Sequence, residues 1–244
     1  MSPMDFSITQ WRAWAPGLDS LADWQAWHRQ PWRPAASAAQ PDVAFLPALQ
    51  RRRLSRLARM AFSVAWPLAE TPSSAGQLPL VFASRHGETP RTFALLSDLA
   101  EQAPLSPTQF SLAVHNAIIG LWSILRGDTS EMTALAAEGD GLEHAILEAC
   151  MLLAAGAPAV LVVVAEDLPP AAYAPWIDDV PFPYAVGLLL TPGTDWRLSL
   201  CEHTAPAARA EWPHALSLLQ TLLSNQSHCQ HHWKTRKWTW QRSR

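Results

Sequence analysis

The run AVLVVVAE at 159–166 limits what this chain can fold into more than any other stretch. Its apolar residues do not alternate with polar ones, so as a strand it must be covered on both faces, and it is too short for an ordinary helix. Gly156 ends a helical pattern just before it, and a proline-rich excursion follows. A strand covered on both faces needs helices above and below its sheet, and the rest of the chain supplies them in alternation.

A strand is expected over 6–17, ending at Pro16-Gly17, then a Trp-rich, partly helical segment and a Pro/Ala-rich link over about 33–46. One helix is predicted over 48–70, because Leu49, Leu54, Leu57, Ala61, Val64 and Leu68 recur at helical spacing with arginines opposite. A turn over 71–77, a buried strand over 78–84 and a helix over 92–102 come next. Ser106 can cap the following helix, with Pro107 at its first position and Gln109 reaching back. Its body at 110–125, FSLAVHNAIIGLWSIL, is apolar nearly all round, which predicts burial on every side and, at Gly120, a close helix approach. A short strand over 131–136, a helix over 142–156, the strand at 159–166, a pair of strands within 184–202, a helix over 208–226 and a polar tail over 225–244 complete the order. The pattern is α/β, a sheet covered by helices, read as one unit over 1–244.

Composition enters through partners. With 49% hydrophobic and 16% charged residues and 13 tryptophans, the chain carries more apolar surface than a solvated monomer of 244 residues needs to bury, which points to a partner subunit. A net charge of −3 and only two lysines, Lys234 and Lys237, argue against nucleic-acid binding. Three scattered cysteines make no disulfide framework, and Cys150, inside an apolar helical pattern, should pack as a small hydrophobe. A cytoplasmic setting fits, since the N-terminus lacks signal-peptide order and no apolar run reaches membrane-spanning length.

The string VFASRHGETP at 81–90 raises an enzymatic alternative, because Arg-His-Gly-Glu after a strand resembles the motif of histidine phosphatases. In that reading His86 is the nucleophile, Arg85 a phosphate ligand, Glu88 the general acid and His203 a second histidine. Histidine phosphatases carry the motif on their first strand, whereas about eighty residues precede it here. The structural reading is stronger: Gly87 turns the chain, Arg85 and Glu88 are solvated or paired, and Pro90 starts a helix.

Four stretches together, LPALQRRRLSRLARMAFSVA, LVFASRHGETPRTFALLSDLA, LSPTQFSLAVHNAIIGLWSIL and LEHAILEACMLLAAGAPAVLVVVAEDLP, resemble the N-terminal half of β-ketoacyl synthases. They look like the short homologues that resemble chain-length factors of aryl polyene and related type II polyketide and fatty acid pathways, over about 47–192. The resemblance implies a thiolase-like fold, with the 110–125 segment near a subunit interface, where Phe110, Val114, His115, Asn116, Gly120 and Trp122 are interface or tunnel candidates. For His115 and Asn116 the plainer reading is a polar pair hydrogen-bonded within the fold or across a dimer. Active condensing enzymes need a cysteine at the start of the helix after the 131–136 strand, where the helix N-terminus lowers the thiol pKa. Here that turn reads Ala137, Glu138, Gly139, Asp140, Gly141, and Cys150 lies about three turns further on. The two later histidines of active enzymes belong to a C-terminal half this chain does not contain. The resemblance therefore implies a subunit with no catalytic residues and no cofactor, paired with a full-length ketosynthase and working on an acyl carrier protein. Residual decarboxylation helped by Glu138 or Asp140 stays open as a lesser reading.

Arg51, Arg52, Arg53 and Arg56, with Arg59, form an expected basic helix face that is either solvated or a docking site for an acidic carrier protein. The run HCQHHW, with His228, Cys229, His231 and His232, holds ligand atoms, but contiguous residues on a polar tail need a partner motif elsewhere to close around a metal, so no metal is expected.

Overall fold

The uninterrupted apolar run becomes a central strand, and its chain neighbours arrange themselves around it. The structure, a computed structural model, describes residues 3–35, 38–70, 78–202 and 210–243. In order the elements are β1 (Met4–Trp14), α1 (Leu21–Arg29), α2 (Ala48–Arg51), α3 (Arg56–Ala69), β2 (Leu80–Ala83), α4 (Thr89–Ala100), α5 (Pro107–Ser111), α6 (Ala117–Arg126), β3 (Met132–Leu135), α7 (Gly141–Ala154), β4 (Val160–Glu166), β5 (Tyr184–Glu202), α8 (His214–Ser224), β6 (His228–Trp233) and β7 (Arg236–Arg242). The turn expected at 71–77 lies outside the described residues.

Strands β3, β2 and β4 run parallel, and β5 continues the sheet antiparallel to β4. The long β5 also pairs with β1 along one edge, and its second half pairs with β7, which carries β6. Period-two alternation sorts the side chains between two layers of helix. Val160, Val162 and Val164 face a core shared with α1, α7 and α8, whereas Leu161, Val163 and Ala165 face one shared with α3 and α6. At Gly187 of β5 a Cβ would lie 3.1 Å from Leu68 and 3.2 Å from Val64, so glycine lets α3 sit closely on the sheet.

Four expectations are corrected. The helix over 48–70 is two, because the chain turns after Arg51 and Ser55 starts α3 afresh, its Oγ accepting from the Ala58 N–H at 3.0 Å; Leu49 is left exposed. The helix over 110–125 is broken between α5 and α6, where the His115 ring turns back to the Ser84 carbonyl at 2.7 Å. Nor is it buried all round within the chain: Ile118 and Trp122 are buried, Ile124 is 77% exposed, and a Cβ on Gly120 would meet nothing within 4 Å among the described residues. The pair within 184–202 is the single strand β5, in which Pro192-Gly193 does not turn; Gly193 instead makes room for Ser7 beside the register shift in β1. The tail at 225–244 is largely the β6–β7 hairpin, whose Trp238 and Trp240 are fully buried against the sheet. Among the described residues no helix is long and apolar enough to cross a membrane.

Candidate functional site

The turn at 137–141 joins β3 to α7 at the C-terminal ends of the parallel strands, the end at which open α/β sheets bind ligands. The β6–β7 hairpin folds over it. A Cβ on Gly139 would run into the indole ring of Trp233, so no side chain fits at that position while the ring is in place. Trp233 Nε1 donates to Glu138 Oε2 at 2.9 Å, and the Lys234 ammonium binds the other oxygen. Hydrogen bonds from Lys234 and then Trp233 hold the Glu138 carboxyl down at about 2. Asp140 is fully buried and grips Arg236 through both oxygens, at 2.5 and 3.0 Å, while Trp238 Nε1 donates to it at 3.0 Å. Burial opposes its ionisation, but His144, Arg236 and Trp238 outweigh that and keep its carboxyl below the ordinary range. The turn thus presents no nucleophile. Cys150 lies buried on α7 with its thiol pushed up to about 12 by burial, and burial likewise raises Cys229 to about 11.

Beside the turn lies a cavity of about 750 Å³, between the ends of β2 and β4 and the starts of α7 and α8. Glu166, at the end of β4, is the buried carboxyl in its wall. It accepts from Ser84 Oγ at 3.1 Å, from the His86 N–H at 3.3 Å and from the Arg85 N–H. Burial nevertheless raises it to about 7, because these donors only partly replace lost water.

Among the described residues the phosphatase constellation does not form. Arg85 Nη1 and His86 Nε2 both bind Asp179, at 2.6 and 2.9 Å, so a carboxylate stands where a phosphate would have to sit. The loop's N–H groups hold Glu166, and Glu88 turns away to Ser55 at 2.5 Å and to Arg91 at 3.3 Å. His203 lies outside the described residues.

The interface candidates divide. Trp122 is buried within the chain against Phe62 and Trp66, and His115 is half-buried on Gly87 and the Ser84 carbonyl. Phe110, Val114, Asn116 and Gly120 are exposed. The expected basic face is also divided: Arg51 is on α2, Arg52 and Arg53 follow it in the turn, and Arg56 on α3 binds Asp167 at 2.5 Å.

His231 of the HCQHHW run has neighbours from other elements that its own sequence neighbourhood does not supply. Glu143 of α7, wholly buried, receives His214 Nδ1 at 2.8 Å, His231 Nδ1 at 2.5 Å and Trp240 Nε1 at 3.1 Å. The two imidazoles stack with centroids 4.4 Å apart. Burial alone would raise the Glu143 carboxyl, but His214 and His231 bring it to about 2; burial would lower His214, and Glu143 raises it. Sequence reasoning missed Glu143, Glu166, Asp179, Trp233 and Arg236. A charged residue beside Leu142 in an apolar helix, and tryptophans alternating at 238 and 240, were the available signals.

Residues 24–241 match the family described as beta-ketoacyl synthase, N-terminal domain. Among solved structures, a chain of the ketosynthase ApeO in complex with its chain length factor ApeC, from Xenorhabdus doucetiae, is 30% identical, with a TM-score of 0.87 over 98% of this chain and 100% of that one. The ishigamide ketosynthase/chain length factor is 15% identical with a TM-score of 0.61, over 83% of this chain and 68% of that chain. A type II polyketide acyl-carrier protein in complex with its ketosynthase, AntDE:AntF, gives 13% identity and 0.61 over 84% and 71%; like the second match it speaks to the fold alone. No curated protein matches the chain. The layered sheet is the thiolase-like fold of these ketosynthases.

Proposed function

The chain belongs to the β-ketoacyl synthase N-terminal-domain family, and from that premise we propose that it is a non-catalytic subunit of the chain-length-factor type. It pairs with a full-length ketosynthase in the cytoplasm and helps shape the acyl tunnel while chains grow on an acyl carrier protein, in aryl polyene or related polyketide and fatty acid synthesis. The observation that carries this reading is the plugged turn. A condensing enzyme needs a thiol at a helix N-terminus with open space for a thioester, and here Trp233 covers Gly139 while Asp140 is committed to Arg236. The match to a chain of ApeO–ApeC over that chain's whole length supports it, because a subunit of this size is found in a ketosynthase complex. Exposed Leu96, Leu99, Phe110, Val114 and Ile124 on α4–α6 offer an apolar surface for the partner.

Co-expression with a full-length ketosynthase of a type II pathway is the test. Co-elution as one heterodimer, with elongation seen only when both subunits are present, is expected. A ketosynthase that elongates equally well without this chain, or a chain that condenses acyl units alone, overturns the reading.

A further inference from the structure

We propose that Glu143, His214 and His231 form a binding site for a divalent transition metal, with zinc the ion their chemistry favours. Three different elements, α7, α8 and β6, bring one carboxylate and two imidazoles together, and their ligand atoms all lie within 4.8 Å of one another in a buried position. Two histidines and a glutamate are a nitrogen–oxygen set that suits zinc, with bond lengths of about 2.0–2.2 Å. The contacts around the set are those that orient metal ligands. Trp240 Nε1 holds Glu143 Oε1 at 3.1 Å, and the main chain of His232 hydrogen-bonds the His214 ring. Among the described residues the His231 ring is hydrogen-bonded on its Glu143 side alone, its buried Nε2 having no partner there, and it stacks on His214, so its orientation answers to the ligand cluster. A carboxylate and two imidazoles taken out of water are costly as a purely structural device; a cation placed among them in exchange for the ring protons that bridge to Glu143 relieves that cost. Access is through the 750 Å³ cavity, whose wall includes His214.

The full chain, stripped with a chelator and dialysed, is titrated with Co²⁺ while the visible d–d bands are followed, and Zn²⁺ is then added as competitor. One equivalent of Co²⁺ with tetrahedral or five-coordinate bands, displaced by Zn²⁺, is expected. His231→Ala should weaken binding about 100-fold or more, since even outer contacts to a metal site are worth about 10–100-fold. His228→Ala, on the same strand but exposed, should bind as the parent does. Should His231→Ala fail to fold, Glu143→Gln, which keeps the side-chain shape, decides by losing the bands while near-UV circular dichroism is retained. No stoichiometric metal uptake by the unaltered chain, uptake unchanged in Glu143→Gln, or uptake abolished by His228→Ala instead, overturns the proposal.

Discussion

At the scale of single residues, Gly139 is a position where no side chain fits beside the Trp233 ring, and nothing in its sequence neighbourhood reveals this. The residue that covers it, Trp233, lies 94 positions later on another element. Sequence reading therefore finds that the turn at 137–141 holds no cysteine and cannot find the ring that covers it. Gly139→Ala forces the indole off its hydrogen bond to Glu138, so a loss of about 1–3 kcal/mol is expected in urea unfolding. Trp233→Ala removes the obstacle, and the double variant should be more stable than the sum of the single losses by at least about 0.5 kcal/mol; strict additivity would mean the contact is absent. Glu166 makes a second residue-scale prediction. Burial raises its carboxyl to about 7, so the fold favours the protonated form. Its contribution to stability is fully present below the ordinary glutamate range and is lost as pH rises through about 7. Glu166→Gln should flatten the fall in Tm between about pH 5 and pH 8, a gain on the order of 2–3 kcal/mol on the alkaline side. Parallel Tm–pH curves for the two proteins would rule it out.

At the scale of elements, most of the α/β order was legible because strands and helices announce themselves by period. β2, β3, β4 and α7 fall where their patterns put them, and Leu142, Ile146, Ala149 and Leu153 are all buried on α7. The 110–125 segment misled for a physical reason: a helix apolar on all sides carries no mark of which side its own core takes. In the fold α6 commits one face, Ile118 and Trp122, to α3 and the sheet and leaves Ile124 outward. Two substitutions on this one helix should therefore separate. Trp122→Ala is expected to cost about 3–5 kcal/mol in the chain itself, by emptying a large buried site. Ile124→Glu should leave the chain's stability within about 0.5 kcal/mol, as surface changes do, while reducing recovery of the ketosynthase in co-purification at least tenfold. If Ile124→Glu recovers the partner as well as the parent chain does, this face is not the docking surface.

At the scale of the whole molecule, the surplus of tryptophan and the polar ending were read apart, and they belong together. Eight of the 13 tryptophans are buried within the chain, so part of the apolar surplus assigned to a partner is the chain's own core. Two of them, Trp238 and Trp240, sit on β7 among the charges of WKTRKWTWQRSR, where hydropathy averaged along the segment hides the alternation that a strand exploits. Trp240 packs edge-on to Phe6 of β1 and to Trp196 of β5, so the last strand completes a core that the first begins. The hairpin also supplies Arg236 to Asp140 and His231 to Glu143, two carboxylates that α7 buries without exposure. Removing one member of a buried charged pair costs about 3–5 kcal/mol, and a chain ending at Asn225 would lose both partners together with the strand that pairs residues 196–202 of β5. Against a total stability of about 5–15 kcal/mol for an ordinary domain, that loss is large enough to abolish folding. The truncated chain is accordingly expected to aggregate or to lose its near-UV circular dichroism, and Arg236→Ala alone to lower Tm by several degrees; a soluble truncated chain that melts with the parent's Tm would make the hairpin an appendage rather than the closing strand of the fold.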